Sequence, residues 1–291
     1  MNQLQRFQFL DGAVRGEICQ LNEAYQSALS RHEYPAPIQR LLGEALAGVA
    51  LIAANLKFEG CLILQIQGDG PMSVLMAECN HLGELRGIAR YDEARMAMQA
   101  DDSWTALAGQ GQLILTIDPE DGERYQGIVA LEGESIASAL AGYFAQSEQL
   151  PTYFYLAAND QQAAGLMLQV LPQSVANEDE DLWDRAQGLA RTLKPDELLT
   201  LSREEVLYRL FHEERVELYP EQALRFHCSC SRARSANALR SIELAELLEI
   251  AEEHGGKLEV DCQFCHQKYV FDAIDLHQLH VSASVTSEGL Q

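Results

Sequence analysis

The chain has 291 residues, of which 47% are hydrophobic and 22% charged, so most of it can fold around a core. Its 44 Asp and Glu residues against 21 Lys and Arg give a formal net charge of −23. This balance argues against nucleic-acid binding, which needs cations to neutralise phosphates, and against docking on an anionic membrane. The length favours about two domains.

The N-terminal residues show no basic region followed by an apolar stretch, so we expect no signal peptide. The longest apolar stretch, residues 45–56, is too short to span a bilayer and predicts a buried helix. A cytoplasmic protein is therefore expected. In a reducing cytosol, clustered cysteines indicate metal or redox chemistry rather than structural disulfides.

Residues 1–172 are predicted to form one mixed domain. Period-two alternation, with Leu62, Leu64 and Ile66 on one face, is typical of a strand. On such patterns we predict helices within 36–56 and at 135–144, and strands at 61–67, 72–79, 112–117, 125–131, 152–156 and 165–171. Hairpins mixed with helices favour an α+β fold over a doubly wound parallel sheet.

Residues 173–224 are predicted to be a helical linker docked on the first domain. An acidic run at 177–181 predicts a solvated loop. Ser202 and Glu205 form a plausible capping box, and Pro195 should end the helix before it. Two apolar stripes recur at helical spacing, Leu182/Ala186/Leu189/Leu193 and Val206/Leu207/Leu210/Phe211. Such short helices are marginal alone and need a surface to rest on.

Residues 225–281 form a third segment with a separate character. Ser241 is predicted to cap a helix that ends at Gly255-Gly256, where a left-handed backbone is required. Two short strands, 257–260 and 268–271, are predicted on either side of Cys262-Gln-Phe-Cys265. The small polar residues of 282–291 predict a flexible tail.

The strongest chemical signal is Cys228-x-Cys230, followed after 31 residues by Cys262-x-x-Cys265. Four thiolates can complete a tetrahedral Zn²⁺ site. A segment this small usually needs such a cross-link to be stable. Because all four candidate ligands are Cys, no position is left open for water, so the site would be structural rather than hydrolytic. We therefore expect one Zn²⁺ per chain.

Zinc thiolates remain oxidisable, so two interpretations of the cluster stay open. Oxidation would remove the ligands, expel the metal and let adjacent cysteines pair, which would cost the segment most of its stability. A permanent structural zinc site is the alternative. Four nearby arginines would favour thiolate, or else form salt bridges with the many acids: Arg225, Arg232, Arg234 and Arg240.

The motif Cys228-Ser-Cys-Ser-Arg232 with Cys262-Gln-Phe-Cys265 resembles the zinc motif of the redox-regulated 33 kDa chaperonin family, an ATP-independent heat-shock holdase. Six further blocks also match, in the expected order over nearly the whole chain. They are Leu56-Lys-Phe-Glu-Gly60, Gln65-Ile-Gln-Gly-Asp-Gly-Pro71, Gly122-Glu-Arg-Tyr-Gln-Gly127, Tyr143-Phe-Ala-Gln-Ser-Glu-Gln-Leu-Pro151, Ala163-Ala-Gly-Leu-Met-Leu-Gln169 and Glu204-Glu-Val-Leu-Tyr-Arg-Leu-Phe-His-Glu-Glu214.

The resemblance implies a substrate-binding domain, a metastable linker and a redox-switch zinc domain. It implies that oxidant forms the disulfides Cys228–Cys230 and Cys262–Cys265, with zinc release and linker unfolding. Exposed apolar surface would then hold unfolding client proteins, which would pass to an ATP-dependent foldase, and the activated protein would be a homodimer. A holdase needs apolar surface that is covered in one state, and the two stripes are candidates for that surface and its cover.

This sequence departs from the family at two positions. Ala236 stands where some members carry a further Cys, which does not threaten the four ligands. Phe264 is often Tyr in relatives, and the direction of its effect on the switch stays open.

Two other classes of function fit the sequence less well. A zinc-ribbon nucleic-acid module would explain the cysteines but is opposed by the charge. Complete enzyme motifs are missing: the sequence has no full P-loop, dinucleotide loop or nucleophile elbow, so no catalytic residue is predicted. His227 and His266 are interpreted as surface residues rather than ligands, and Cys19, Cys61 and Cys79 as small core residues.

Overall fold

The structure is a computed structural model that describes residues 2–57, 59–172, 179 and 181–287. Its contacts divide the chain into two compact units, Met1–His227 and Cys228–Gln291. The first unit includes the segment 173–224 for which a linker is predicted. Most of the acidic run in that segment, residues 177, 178 and 180, lies outside the described residues.

The strands of the first unit form two antiparallel sheets, apart from one short parallel pairing. The strands are β1 (Gln3–Phe9), β2 (Val14–Leu21), β3 (Gly60–Gly68), β4 (Met72–Asn80), β5 (Glu84–Tyr91), β6 (Gly111–Pro119), β7 (Tyr125–Ala130), β8 (Thr152–Ala158), β9 (Ala163–Val170), β10 (Val216–Leu218), β11 (Gln222–Ala223) and β12 (Arg225–Phe226). The first sheet has the order β10-β1-β2-β9-β8, with β11 also on β1, and the second has the order β12-β5-β4-β3-β6-β7. Strand β12 is parallel to β5.

The helices of the first unit lie between and outside these sheets. They are α1 (Glu23–Leu29), α2 (Ala36–Ala53), α3 (Glu93–Met98), α4 (Trp104–Ala108), α5 (Ile136–Tyr143), α6 (Leu182–Ala190), α7 (Pro195–Thr200) and α8 (Arg203–Phe211), and a π-helical turn at Phe144–Glu148 follows α5. Together with the sheets they form the mixed α+β fold that the sequence predicts.

Helix α2 is the centre of this unit, because it packs against strands of both sheets. Its length and mean hydropathy of 1.3 would let it cross a membrane, but 78% of it is buried inside the protein. This confirms the predicted core helix. Its one deeply buried acid, Glu44, is paired with Arg40 at 3.1 Å, and burial raises the pKa of that carboxyl.

The strands and helices predicted between residues 61 and 171 are confirmed within about two residues at each end. Strands β1, β2 and β5 were not predicted. Strand β2 shows why. Six of its eight residues are buried, and they lie on both faces of the strand, so no alternation of buried and exposed residues marks it. One face of β2 meets α2, where Cys19 donates to the Ala47 carbonyl, and the other face meets α6–α8.

Helices α6, α7 and α8 cover the outer face of the first sheet with both predicted stripes. Phe211 packs against Phe9, with ring centroids 5.1 Å apart, and against Phe7 at 5.9 Å. Pro195 does not end α6, which stops at Ala190; it is the first residue of α7, where its missing N–H costs nothing.

The predicted capping box of α8 is half present in the described residues. The Ser202 hydroxyl accepts from the Glu205 N–H at 3.2 Å. The Glu205 carboxylate accepts from Arg209 instead of returning to Ser202. One orphan amide at the start of α8 is thereby satisfied by a side chain.

The second unit contains one hairpin and three helices in its described residues. They are α9 (Arg232–Leu239), α10 (Leu244–Glu253), β13 (Lys257–Asp261), β14 (Lys268–Asp272) and α11 (Ala273–Ser287). Helices α9 and α11 were not predicted. Of the segment 282–291, for which a flexible tail is predicted, residues 288–291 lie outside the described part of the chain.

The cap predicted at Ser241 is wrong. Helix α10 begins at Leu244 after Glu243, and the Ser241 hydroxyl donates to the Ala238 carbonyl at the end of α9 instead. The predicted end of α10 is confirmed, since Gly255 and Gly256 have φ values of +73° and +83°. A residue with a Cβ would be strained in that conformation.

Candidate metal centre

The hairpin β13–β14 brings Cys262 and Cys265 to its tip. Pairing ends at Asp261 opposite Lys268, and the turn continues with Cys262 N–H donating to the Gln267 carbonyl at 2.9 Å. His266 donates its N–H back to the Cys262 carbonyl at 2.8 Å and has φ +57°. This left-handed residue closes the turn directly after the second cysteine, as a knuckle requires.

The other two cysteines lie in the segment that leads into α9. Ser231 is the N-cap of this helix, because its hydroxyl accepts from the Arg234 N–H at 3.2 Å. The Arg234 guanidinium reaches back to the Ser229 hydroxyl at 2.6 Å. The residue between the two cysteines is therefore tied to the first turn of the helix, which limits how far Cys228 and Cys230 can move apart.

The four sulfur atoms form one group, with every Sγ within 4.8 Å of the others. Cys228 Sγ lies 3.6 Å from Cys262 Sγ, and Cys230 Sγ lies 3.4 Å from Cys265 Sγ. Zinc–sulfur bonds of about 2.3 Å in a tetrahedron place the sulfurs about 3.8 Å apart. The spacing and the donor set therefore fit Zn²⁺. The described residues place no histidine in this group.

Two short sulfur distances join the segment before α9 to the hairpin turn, and these two segments are the arms of the site. Both short pairs connect a residue before α9 with a residue of the hairpin turn. In this arrangement the group clamps two remote parts of the unit together. None of the four cysteines is in a disulfide, and all four are partly exposed, so a small oxidant can reach the sulfurs.

Tyr269 also belongs to the site, and the sequence analysis missed it. Its hydroxyl donates to Cys230 Sγ at 3.1 Å, which raises the pKa of Tyr269 to about 12. Burial raises the pKa of the Cys265 thiol to about 12 as well. These raised pKa values favour the protonated forms. A bound metal cation reverses that preference for the cysteines, since a thiol that coordinates a metal is deprotonated outright. Tyr269 lies four residues after Cys265 on a predicted strand, but no local pattern connects it with Cys230.

The contacts of the arginines near the motif favour salt bridges over stabilisation of thiolate. Arg232 pairs with Asp275 at 2.7 Å and stacks over the Phe271 ring at 4.5 Å, which ties α9 to β14 and α11. Arg225 pairs with Glu84 at 2.5 Å within the first unit. Arg234 donates to the Ser229 hydroxyl. The guanidinium groups of these three arginines therefore contact partners other than the sulfurs.

The other cysteines lie apart from this group. Cys19 and Cys79 are fully buried in the first unit, and burial raises both pKa values, that of Cys19 to about 12. They are therefore core residues, as predicted. Cys61 is half-buried on β3. His227 is the last residue of the first unit, where its N–H donates to the Leu85 carbonyl at 3.0 Å.

Comparison with known proteins agrees over nearly the full length. The family model described as Hsp33 protein matches residues 2–272. The chain is 49% identical over 282 residues to the 33 kDa chaperonin of Ectopseudomonas mendocina, covering 96% of this chain and 95% of that protein. It is 48% identical to the 33 kDa chaperonin of Pseudomonas aeruginosa, covering 97% and 95%.

A solved structure gives the same result for the fold. The crystal structure of the 33 kDa chaperonin from Thermotoga maritima superposes with a TM-score of 0.81. The two sequences are 26% identical, and the match covers 98% of this chain and 100% of the other.

Proposed function

Because the chain belongs to the Hsp33 family, whose members are chaperones, we propose that it is a redox-regulated, ATP-independent holdase. The observation that carries the proposal is the group of four sulfurs, which clamps the two arms of the second unit. Oxidation of these sulfurs would act directly on the stability of that unit. The protein would bind unfolding clients and perform no catalysis.

Cys228, Cys230, Cys262 and Cys265 would hold one Zn²⁺, which would supply the folding free energy that the small core of this unit lacks. In zinc-finger peptides such a site contributes about 10–16 kcal/mol. Among the residues whose side chains the structure describes, that core has seven buried hydrophobic residues: Ala236, Leu239, Leu247, Ala251, Leu258, Phe271 and Leu276. Two of the seven are alanines, so little apolar area is removed from water here.

The proposed switch is a two-electron oxidation at each cysteine pair. Two thiolates of one arm, Cys228 and Cys230 or Cys262 and Cys265, lose two electrons and form one S–S bond. Hydrogen peroxide accepts the electrons and, with two protons, becomes two water molecules. A disulfide sulfur no longer serves as a thiolate ligand, so the clamp between the arms is lost with the metal.

The surface that would hold clients is the outer face of the first sheet together with the apolar side of α6–α8. Phe7, Phe9, Ile18, Leu166 and Leu168 are each at most 1% exposed there. They are covered by side chains of the predicted linker, including Leu182, Ala186, Val206, Leu210 and Phe211. Release of the three helices would open a continuous apolar surface of the kind that binds other chains.

The helices α6–α8 are short enough to depend on this docking. They have six to nine residues each, and isolated helices below about 12–15 residues are marginal in water. We further propose that the activated protein forms a homodimer, passes clients to an ATP-dependent foldase and works in the cytoplasm, where thiols are kept reduced. Sedimentation of reduced and oxidised protein tests the dimer.

The deciding experiment measures aggregation of a heat-unfolding client by light scattering. Reduced, zinc-loaded protein should leave the client to aggregate, and peroxide-treated protein should suppress scattering. Cys61→Ser is the matched control, since it removes a partly exposed thiol outside the group and should leave the switch intact. Equal suppression by reduced and oxidised protein would rule out redox regulation. Disulfide mapping should find the pairs Cys228–Cys230 and Cys262–Cys265.

A further inference from the structure

The first unit contains a cleft of about 720 Å³ whose lining residues include none of those that form the covered face of the first sheet. Its walls are the loop before α2, the end of β5, helix α3 and the loop that precedes α4. The volume is within the range of sites that take small molecules or peptide side chains.

The floor of the cleft is apolar, aromatic and held in place. Tyr34 is 7% exposed, and its hydroxyl accepts from the Ala89 N–H at 3.1 Å. The Tyr91 hydroxyl donates to the Glu33 carbonyl at 3.1 Å, and the Tyr34 and Tyr91 rings are 6.3 Å apart. Pro35, Met96 and Leu107 complete the floor. These contacts indicate a cleft that exists before any ligand binds.

The rim of the cleft is acidic. Glu33, Glu93, Asp101 and Asp102 line it with exposed side chains, and none of the four takes part in the ion pairs of the described residues. Two nearby cations have other partners than these carboxylates: Arg40 pairs with Glu44 and donates to the Asp102 backbone carbonyl, and Arg95 donates to the carbonyls of residues 69 and 70. The four carboxylates therefore form no ion pair among the described residues, although the Arg40 guanidinium lies beside Asp102.

We propose that this cleft binds a basic apolar peptide segment, in which Lys or Arg flanks an aromatic or aliphatic side chain. The apolar side chain would enter over Tyr91 and the exposed edge of Tyr34, whose ring is also stacked against His32 at 5.0 Å. The flanking cations would face the four carboxylates, and the net charge of −23 would speed their approach. The charge of the rim and the apolar floor together select this class of segment.

The proposal goes beyond the redox-regulated function, because the cleft is open while none of the four motif cysteines is in a disulfide. Binding should therefore be equal in reduced and oxidised protein. A failure of redox regulation in the scattering assay would leave this site untouched, and a failure here would leave the switch untouched.

The test uses fluorescence anisotropy of a labelled ten-residue peptide that carries Lys-Trp-Lys among Gly and Ser residues. Two comparison peptides replace both Lys by Glu, or Trp by Ser. The Lys-Trp-Lys peptide should bind at least about tenfold more tightly than either, and binding should weaken as salt is raised. The affinity should be the same, within about twofold, for reduced and peroxide-treated protein.

The variant Glu93→Lys/Asp102→Lys places two cations on the rim and should weaken binding about tenfold or more. Glu120→Lys/Glu123→Lys makes the same change of net charge at an exposed turn away from the cleft, and it should leave the affinity nearly unchanged. Equal loss in both variants would mean that only overall charge attracts the peptide, and would overturn the site. Equal binding of the Ser peptide, or binding confined to oxidised protein, would overturn it as well.

Discussion

The two units of this protein are stabilised in different ways. The first buries two large hydrophobic clusters, one around α2 and one beneath α6–α8, and its buried cysteines Cys19 and Cys79 lie inside the first of them. The second, in its described part, buries seven hydrophobic residues beside four partly exposed sulfurs. An oxidant therefore meets reactive sulfur where apolar burial is weakest, so its effect should be confined to one unit at first.

The largest expected effect comes from removing one ligand. Cys262→Ser should abolish stoichiometric zinc binding and unfold the second unit, because up to about 10–16 kcal/mol of metal-binding energy supports that fold. Metal analysis and near-ultraviolet circular dichroism measure the two losses. The first unit should keep its thermal transition, followed by fluorescence of Trp104, which is buried there.

Cys61→Ser is the control for this comparison and should retain one zinc per chain. If Cys262→Ser retained full zinc content and a folded second unit, the contrast between the two units would be broken.

The second prediction weakens the cover on the first sheet without touching the sulfurs. Phe211→Ala removes the ring that contacts Phe7 and Phe9 and should destabilise the docking of α6–α8 by about 3–5 kcal/mol. Reduced protein should then bind an apolar fluorescent dye and show partial holdase activity. Tyr208→Ala, on the same helix but 71% exposed, should do neither. If Phe211→Ala bound the dye only after oxidation, the docking of α6–α8 would not depend on the packing of Phe211 against the first sheet.

The sequence predicted the cysteine group of the second unit better than its helices. Each cysteine pair is a local pattern, so the four cysteines that the structure brings together and the hairpin between 257 and 271 could be predicted directly. Helix α9 could not, because its sequence, Arg-Ala-Arg-Ser-Ala-Asn-Ala-Leu, has a weak apolar stripe and is held by contacts such as Arg232 with Asp275. The bond from Tyr269 to Cys230 joins residues 39 positions apart, beyond any local pattern.

In the first unit, contacts between residues far apart in the chain also explain why β1 and β2 were not predicted. Both strands carry buried apolar residues on both faces, such as Leu4 against Phe7 and Phe9 in β1, so the alternation that marks β3 is broken. Alternation reveals a strand only where one face is more polar than the other.

The third prediction concerns Glu17, a carboxylate that is 1% exposed on β2 and whose pKa burial raises to about 7. The folded protein holds this proton more tightly than the unfolded chain does. The stability that Glu17 gives the folded state is therefore fully present below pH 4.5. As the pH rises to about 7 this stability is lost, and the free energy of unfolding falls by up to about 3 kcal/mol. Urea unfolding followed by Trp104 fluorescence measures the slope.

Glu17→Gln should flatten this dependence between pH 4.5 and 7, whereas Glu120→Gln, at an exposed site, should leave it unchanged. The effect sharpens the comparison, because it locates a pH response in the first unit apart from the sulfur chemistry of the second. An unchanged slope in Glu17→Gln would assign the pH response to other groups.

The smallest expected effect tests how strongly the surroundings of the sulfurs matter. Tyr269→Phe keeps the ring on β14 but removes the hydroxyl that donates to Cys230 Sγ at 3.1 Å. A hydrogen bond to a thiolate withdraws negative charge from the sulfur. The sulfur is then a weaker nucleophile and reacts more slowly with an oxidant. The variant should therefore release zinc about two- to threefold faster in peroxide, measured with a chromogenic chelator. Tyr219→Phe, which loses a hydroxyl bond to Gln8 in the first unit, should match the unaltered protein. Equal release rates for Tyr269→Phe and Tyr219→Phe would show that sulfur exposure alone sets the rate.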